Sequence, residues 1–404
     1  MRTAILIAAV ASLAACGKPQ EDAPFEERFQ AALIDAKRGD VIEIPEGSFR
    51  FDRSLMLASD GVTIRGKGPD KSILSFKGQR QGAEGLLVTA DDFTIEDLAI
   101  EDTKGDALKV SEGKNIVIRR VRTEWTGGPK TDNGAYGIYP VQTTNVLLEE
   151  NIAIGASDAG IYVGQSTTVV VRNNRAERNV AGIEIENTLD ADVYGNVATG
   201  NTGGLLVFNM PNLKHPGART RVFRNLIDAN NHANFGREGT AVANIPAGSG
   251  IVVQSADQVE IFDNDISGNK TANILIASVY SSGLSTEGMT DDFDGFPEAV
   301  FVYGNRMGGG GGDPGNEDLA ALKAAAFGSN GAFPDVIWDG IVDPMKAVGG
   351  APSAELRICV RNDGSEVFNI DAGNGSRNAR LATADVDCAL AKLPPVALSG
   401  ALGE

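Results

Sequence analysis

Lysine, tyrosine and glutamate side chains recur at one position of a short apolar segment that repeats between residues 107 and 187. The third residue of four successive segments is Lys109, Tyr139, Tyr162 and Glu184, and Glu186 follows two residues after the last. Tyrosine rings stack on sugar rings, and lysine, tyrosine or glutamate side chains serve as general acids or bases. Repulsion between Glu184 and Glu186 would raise the pKa of a carboxyl group and favour an acid role. These five residues are therefore candidate catalytic groups, with Tyr162 and Glu184 nearest the reacting bond.

Amide side chains accompany these residues in the same repeats and are expected to bind the substrate. They are Gln142, Gln165, Asn187 and Asn209. Asp106 and Asp158 lie just before their segments. A structural interpretation stays open, because the outward positions of a sheet with one buried face are polar and solvated in any case. The column therefore predicts either a sugar-binding groove or an ordinary solvated face.

The elements that must position these residues are units of one repeat. Units beginning at Gly137, Gly160, Gly182 and Gly204 start 23, 22 and 22 residues apart. Each unit holds two short runs of apolar, mostly β-branched residues, broken by Gly, Asn and Asp, which indicates strands rather than helices. A period in the low twenties is typical of a solenoid. Its units must stack, because one unit cannot bury its own apolar face.

An asparagine follows the second run of each unit, at Asn151, Asn174 and Asn196. We expect these residues at one corner of each turn, where asparagine tolerates a left-handed backbone and its side-chain hydrogen bonds can pass along the stack. In this arrangement Ile183 points inward and contacts Ile161 of the adjacent turn, whereas Tyr162 and Glu184 point outward into solvent.

The repeat predicts the organisation of the whole chain. We expect a signal segment at residues 1–15, a tether at 16–23, a capped solenoid at 24–307, and a terminal region at 308–404 with a glycine-rich linker, a short helix and a small module. Residues 209–220 and 231–249 are too long for corners of the solenoid. They are predicted to be loops, and long loops in a compact domain are often functional.

Several further motifs resemble one bacterial family. They are the helical spacing of residues 24–38, the segments 204–209, 246–248, 259–264 and 338–340, and the late cysteines. With the repeats, they resemble an uncharacterised bacterial family of exported parallel β-helix repeat proteins. The resemblance implies an all-β fold: a single-stranded, right-handed parallel β-helix of the pectin-lyase-like kind, with an N-terminal helical cap and a small C-terminal module. It also implies a possible exported protein partner similar to c-type cytochromes.

The N-terminus resembles a bacterial lipoprotein signal peptide. Arg2 precedes a short apolar run, and Leu13-Ala14-Ala15-Cys16-Gly17 reads as a lipobox. The resemblance implies cleavage before Cys16, lipidation of its thiol, and residence in the Gram-negative outer membrane or periplasm, held to the membrane only by the lipid. An ordinary secretory signal is the alternative. Cys359 and Cys388 then remain as an even pair, which suggests one disulfide in an oxidising compartment, or else two free thiols.

Composition excludes some functions and leaves others open. The 36 basic and 54 acidic residues give a net charge of -18, which opposes nucleic-acid binding. The two histidines, His215 and His232, lie in the predicted loops and are either acid–base groups or incidental. No transition-metal site is expected. Calcium binding by the aspartates of residues 291–294 competes with a solvated acidic turn.

Two functional classes remain. The first is a monomeric envelope protein that binds polysaccharide or acts on it as a lyase, epimerase or hydrolase. The second is a non-catalytic scaffold that binds an exported protein. Whether the chain is an enzyme stays open at this point, because fold alone does not decide function.

Overall fold

The computed structural model describes residues 23–284, 287–290, 293–349, 351–362 and 364–402. The predicted lipidation site Cys16, and Asp291 and Asp292 of the predicted calcium turn, lie outside the described residues. Of the helices described, none is long and apolar enough to cross a membrane.

Strands dominate the described chain. The two α-helices are α1 Phe25–Asp35 and α2 Glu317–Phe327. The first strands are β1 Val41–Glu43, β2 Gly47–Arg50, β3 Arg53–Leu57, β4 Thr63–Arg65, β5 Ser72–Ser75, β6 Gln81–Val88, β7 Thr94–Glu101, β8 Leu108–Ser111, β9 Lys114–Glu124, β10 Tyr136–Val141, β11 Thr144–Glu149, β12 Ile152–Ile154, β13 Ala159–Gly164, β14 Thr167–Arg172, β15 Arg175–Glu177, β16 Ala181–Glu186 and β17 Leu189–Tyr194. The others are β18 Val197–Thr199, β19 Gly203–Phe208, β20 Ala218–Phe223, β21 Leu226–Asp228, β22 Ser249–Gln254, β23 Asp257–Phe262, β24 Asp265–Ser267, β25 Ala272–Ala277, β26 Glu298–Tyr303, β27 Arg306–Gly308, β28 Val336–Trp338, β29 Ala347–Val348, β30 Ala351–Pro352, β31 Cys359–Arg361, β32 Val367–Asn369 and β33 Arg380–Leu381.

The strands form two long parallel sheets that wind together as a solenoid. The first sheet runs in the order β3-β6-β8-β10-β13-β16-β19-β22-β25-β28-β32-β33, and the second holds 19 strands. Each middle turn gives one strand to the first sheet and two to the second, as β13, β14 and β15 do. Neighbouring turns pair in parallel. Antiparallel pairing occurs at the last strand of the first sheet, β33, and between β29 and β30, which form a separate two-stranded sheet. The predicted fold class is therefore the observed one.

The core is a set of aliphatic columns inside the coil. Ile138, Ile161, Ile183 and Leu205 are consecutive register partners in the first sheet, and all four are fully buried. Tyr162 and Glu184 are partners at the next position, on the opposite face of the sheet. The predicted register is confirmed.

Truncation of one core side chain should destabilise the whole stack. We expect Ile183→Ala to lower the free energy of unfolding by about 2–5 kcal/mol, because it leaves a cavity between rigid neighbouring turns. The matched control is Ile34→Ala on α1, whose side chain is 79% exposed and should cost little. Chemical denaturation measures both variants. Equal losses for the two isoleucines would contradict the inward placement of Ile183.

Asparagine side chains form a ladder along one corner of the coil. The backbone N–H and the Nδ2 of Asn151 each donate to Oδ1 of Asn174 at 2.9 Å, and Asn174 repeats both bonds to Asn196. The predicted ladder is confirmed. The left-handed backbone lies one position before each asparagine rather than at the asparagine itself, for example at Glu150 and Asn173, with φ of 56° and 57°. The chain bends there, which leaves each asparagine to point its amide into the stack.

The N-terminal end of the coil is closed by α1. Phe29 and Leu33, four residues apart on one helix face, are buried against the first turn. The Phe29 ring lies 6.0 Å from that of Phe51. This cap covers core and strand edges that an open solenoid would expose. A surface cavity of about 700 Å³ lies between α1 and β1, away from the predicted catalytic column.

The C-terminal region continues the coil rather than standing apart from it. Strands β28 and β32 extend the first sheet, and β31 extends the second, all in parallel. The stack therefore passes the boundary predicted at residue 307. Cys359 and Cys388 form a disulfide. Beyond it the tail returns along the second sheet, where the backbone N–H of Val396 donates to Asp192 Oδ2 at 3.2 Å.

Candidate functional site

The predicted column lies on the outward face of the first sheet, where β8, β10, β13 and β16 meet. Parallel pairing sets Lys109 beside Tyr139 and Tyr162 beside Glu184. The Lys109 ammonium lies 4.8 Å from the centre of the Tyr139 ring. The structure therefore brings the five predicted catalytic residues to one surface. Whether they are catalytic stays a prediction.

A third tyrosine, Tyr136, completes an aromatic cluster that the sequence prediction missed. Its ring centre lies 4.5 Å from that of Tyr139 and 4.6 Å from that of Tyr162, and the latter two rings meet edge to face at 4.9 Å. Its register partner in the next turn is Ala159. The contrast between the large Tyr136 and the small residues at the same position of the next turns was the signal in the sequence.

Four carboxyl groups, those of Asp106, Asp158, Glu184 and Glu186, surround the tyrosines. Asp106 and Asp158 lie in the turns that precede the strands. Burial raises the pKa of Asp158 to about 8, with Glu186 and Asp106 adding to the rise and a hydrogen bond from Tyr136 opposing it. Burial also raises the pKa of Asp106 to about 6, although Lys109 counteracts this. Carboxyl groups whose pKa values approach neutrality can hold or release a proton at working pH.

The carboxyl group of Glu184 is not solvated, although its outward position predicted that it would be. It is 2% exposed, and its Oε2 has no hydrogen-bond partner among the described residues. Burial, then the charges of Asp158 and Glu186, raise its pKa well above the usual value. An unpaired buried carboxylate is very costly, so burial favours the protonated form of this carboxyl group.

Glu186 is the carboxyl group most closely paired with a tyrosine. The Tyr162 hydroxyl donates a hydrogen bond of 2.5 Å to Glu186 Oε1. Burial raises the pKa of Glu186, and this hydrogen bond opposes the rise. Burial and then the Glu186 charge raise the pKa of Tyr162, so the phenol keeps its proton and remains the donor. Glu186 is half-buried, which leaves it within reach of a ligand.

A glycine makes the tyrosine–glutamate contact possible. Gly164 is the register partner of Glu186 and follows Tyr162 by two residues. A Cβ at this position would lie 2.3 Å from Cε1 of the Tyr162 ring. The ring therefore lies across Gly164 to reach the glutamate of the next turn.

The loop at residues 231–249 covers part of this face and explains the burial of Glu184. Its Val242 and Ile245 pack in one buried cluster with Tyr162, Leu206 and Val252. Leu206 and Val252 continue the outward column beyond Glu184. We call residues 241–245 the roof. The predicted solvent exposure of the column is thus wrong at Glu184 and at Tyr162, which is 4% exposed.

Three of the four predicted substrate-binding amides hold the loop at residues 209–217. Asn209 accepts a bond of 2.7 Å from the Gly217 N–H and donates to its carbonyl, which closes the loop. Asn187 donates to two loop carbonyls, and Gln165 accepts from the Lys214 N–H at 3.1 Å. A direct role toward substrate remains a prediction for these residues and for the half-buried Gln142.

Two other predicted groups have local contacts. The Nδ1 of His215 lies 3.0 Å from the Pro216 carbonyl oxygen, and the His232 ring packs edge-on against Phe235. Asp294, from the predicted calcium turn, lies with Asp257 and Glu298 in one acidic group. The Lys346 ammonium contacts Asp294 at 2.5 Å and Glu298 at 2.7 Å, so a lysine supplies the positive charge there.

Comparison with known proteins identifies the fold. A family model described as a right-handed β-helix region matches residues 63–214. The A-module of a mannuronan C-5 epimerase from Azotobacter vinelandii is 20% identical, with a TM-score of 0.51 over 71% of this chain and 84% of its own. An alginate lyase from Paenibacillus is 15% identical, with a TM-score of 0.46 over 70% and 94% of the two chains. A DFA-IIIase from Arthrobacter chlorophenolicus is 12% identical, with a TM-score of 0.48 over 75% and 81%.

No curated protein matches the sequence. At these identities the structural similarity concerns the fold alone. Together with the parallel register of successive turns, the family-model match and the similarity to the epimerase module show that this chain has the right-handed parallel β-helix fold.

Proposed function

We propose that the tyrosine–carboxyl cluster is the acid–base site of an enzyme that cleaves the glycosidic bonds of an uncharged polysaccharide. One observation carries the proposal: Tyr162 donates a 2.5 Å hydrogen bond to Glu186 beside Glu184, whose buried Oε2 has no hydrogen-bond partner within the described part of the chain. Environments that push the pKa values of neighbouring carboxyl groups apart are the usual basis for assigning an acid and a base.

The roles follow from reach and charge. Glu186 is half-buried and accepts a hydrogen bond from Tyr162. It is either the base that activates a water molecule or the nucleophile that attacks the sugar directly. Asp158, whose pKa is raised to about 8, is the acid that protonates the leaving glycosidic oxygen. In hydrolysis the C–O bond breaks, this oxygen takes the acid's proton, and water supplies the new hydroxyl group. Tyr136 and Tyr139, both half-buried, offer ring faces to the sugars.

Local charge supports an uncharged substrate over a uronate. The cluster holds four carboxyl groups, Asp106, Asp158, Glu184 and Glu186, and the Lys109 ammonium beside it already lies over a tyrosine ring. A uronate carboxylate would be desolvated there with no free cation among the described residues beside it to pair with, which is costly. The similar mannuronan C-5 epimerase supports a carbohydrate substrate in general, and the charge of this site argues for a different kind.

A substrate screen tests the proposed function. Soluble uncharged polysaccharides (inulin, levan, mannan, xylan and β-glucans) and the uronates alginate and polygalacturonate are incubated with the protein and assayed for new reducing ends and for unsaturated products. We expect new reducing ends from an uncharged member and none from the uronates. Unsaturated uronate products would contradict the proposal. If no glycan is bound or cleaved but an exported protein is captured from membranes, the scaffold interpretation replaces it.

We also propose that the protein is exported and held to the envelope membrane by lipid at Cys16. The lipobox at residues 13–17 supports this. Cys16→Ser should move the protein from the membrane fraction to the soluble fraction, because a diacylated cysteine supplies the anchor. Cell fractionation with intact-mass analysis measures the result. A variant that stays with the membrane, together with a natural protein that carries no acyl groups, would show that the lipobox interpretation is wrong.

A further inference from the structure

The outward face of the first sheet is closed on one side of the acid–base cluster. Beyond Glu184 the outward column continues as Leu206, Val252, Leu275, Ile337 and Phe368. Leu206, Val252, Ile337 and Phe368 are buried, although they point away from the core of the coil. Other parts of the chain must therefore cover this half of the face.

Two segments provide the cover. Val242 and Ile245 of the roof pack with Leu206 and Val252, and Asn234 fixes the roof by donating to the carbonyls of Val242 and Ile245 at 2.8 and 2.9 Å. Farther along, Leu319, Leu322 and Phe327 of α2 pack against the cluster that contains Ile337 and Phe368. The covering side chains are apolar and pack directly against the sheet. No sugar chain can therefore run between the cover and the sheet.

The other side of the cluster is open. Before Lys109 the outward column consists of Leu87 on β6 and Met56 on β3. Leu87 is half-buried and Met56 is 53% exposed. Five turns separate Met56 from Glu184, which is about 24 Å at the usual spacing of neighbouring strands. That length suits a short run of sugar residues that ends at the carboxyl cluster.

The closed end also carries the polar group that lacks a partner. Glu184 Oε2 is buried without a hydrogen bond, in register between Tyr162 and the covered Leu206. Because Glu184 is 2% exposed beneath the roof, it marks the point at which the open part of the face ends. An internal sugar has a further residue attached and would collide with the roof.

We infer that the site takes the end of a glycan chain, with the terminal sugar against the edge of the roof beside Glu186 and the rest of the chain running over Tyr139, Lys109 and Leu87 toward Met56. This rests on the proposed function and specifies its mode: the enzyme releases product from a chain end and does not cut internally. The roof at residues 241–245 determines that mode.

The product profile of the unaltered protein tests this inference. The probes are linear oligosaccharides labelled at the reducing end, made from whichever polysaccharide of the screen is cleaved, and a cyclic oligosaccharide of the same linkage. We expect one small product of fixed size from the earliest time points, and no cleavage of the ring, which has no end. Products of mixed length together with opening of the ring would overturn the inference while leaving the proposed function intact. If no linear chain is cleaved, the proposed function fails, and the inference fails with it.

A roof variant gives a second measurement. Ile245→Ser opens the wall, and we expect products of mixed length to appear that the parent does not form. Ile34→Ser, an exposed change on α1, is the matched control and should keep the parent's profile. Thermal melting of both proteins establishes that the variant is folded. A folded Ile245→Ser protein that still releases only the single end product would contradict the role of the roof.

Discussion

Replacement of Glu186 by glutamine should lower kcat/KM on the cleaved polysaccharide by about 10³-fold, within the range for loss of an acid–base group. Glutamine keeps the size of the side chain and can still accept a hydrogen bond from Tyr162, but it cannot take a proton from water or attack a sugar. The melting temperature should stay close to that of the parent, since Glu186 is half-buried and lies outside the coil interior. Initial-rate measurements of reducing ends give the comparison.

Two controls separate chemistry from general damage. Glu27→Gln, on the exposed face of α1, makes the same chemical change far from the cluster and should leave kcat/KM unchanged. Tyr162→Phe removes the 2.5 Å hydrogen bond to Glu186. It should raise the pKa of Glu186 and move the acidic limb of the pH–rate profile to higher pH. Full activity in the Glu186→Gln protein would show that this carboxyl group is not the base or nucleophile.

The second large effect concerns stability against pH. Burial raises the pKa of Asp158 to about 8 in the folded protein, whereas an aspartate in an unfolded chain ionises at about 3.9. Between these values the unfolded state binds fewer protons, so the free energy of unfolding falls as pH rises, by about 1.4 kcal/mol per pH unit for one such group. The raised pKa values of Glu184 and Glu186 act in the same direction. We therefore expect a loss of several kcal/mol in total between pH 5 and pH 8.

Asp158→Asn tests the origin of that slope. Asparagine has the same shape but does not ionise, so the variant should lose less stability than the parent between the two pH values. Denaturant titrations at pH 5 and pH 8 measure the difference. The matched control is Asp70→Asn, whose side chain is 91% exposed, and it should keep the parent's slope. A parent protein that is equally stable at both pH values would contradict the burial of protonated carboxyl groups in the cluster.

The repeat made most of the fold predictable. A period of 22 or 23 residues requires inward positions to stack in register, which placed Ile161 on Ile183 correctly. The end of the stack was not predictable from the period. Strands β28 and β32 join the first sheet although long insertions separate them from β25 and from each other. Short apolar runs without a constant spacing carry no signal of which sheet they extend.

The sequence predicted which side chains lie together at the candidate site, but it did not predict that they are buried. Alternation placed Tyr162 and Glu184 on the outward face, and outward normally means solvated. Glu184 is buried because the 231–249 loop folds back over the sheet, and the length of an insertion does not reveal where it packs. The same burial raises the pKa of this carboxyl group well above its usual value.

The most direct test of the proposed chemistry is the fate of solvent oxygen and hydrogen in the product. The protein is incubated with its polysaccharide in water enriched in ¹⁸O, and in a parallel reaction in D₂O, and the released sugars are analysed by mass spectrometry. Cleavage by the tyrosine–carboxyl cluster predicts one ¹⁸O at each new reducing end, no carbon-bound deuterium, and loss of both product and label in the Glu186→Gln protein. Products that are unsaturated, or that carry carbon-bound deuterium and no ¹⁸O, would contradict hydrolysis and would mean elimination or epimerisation instead.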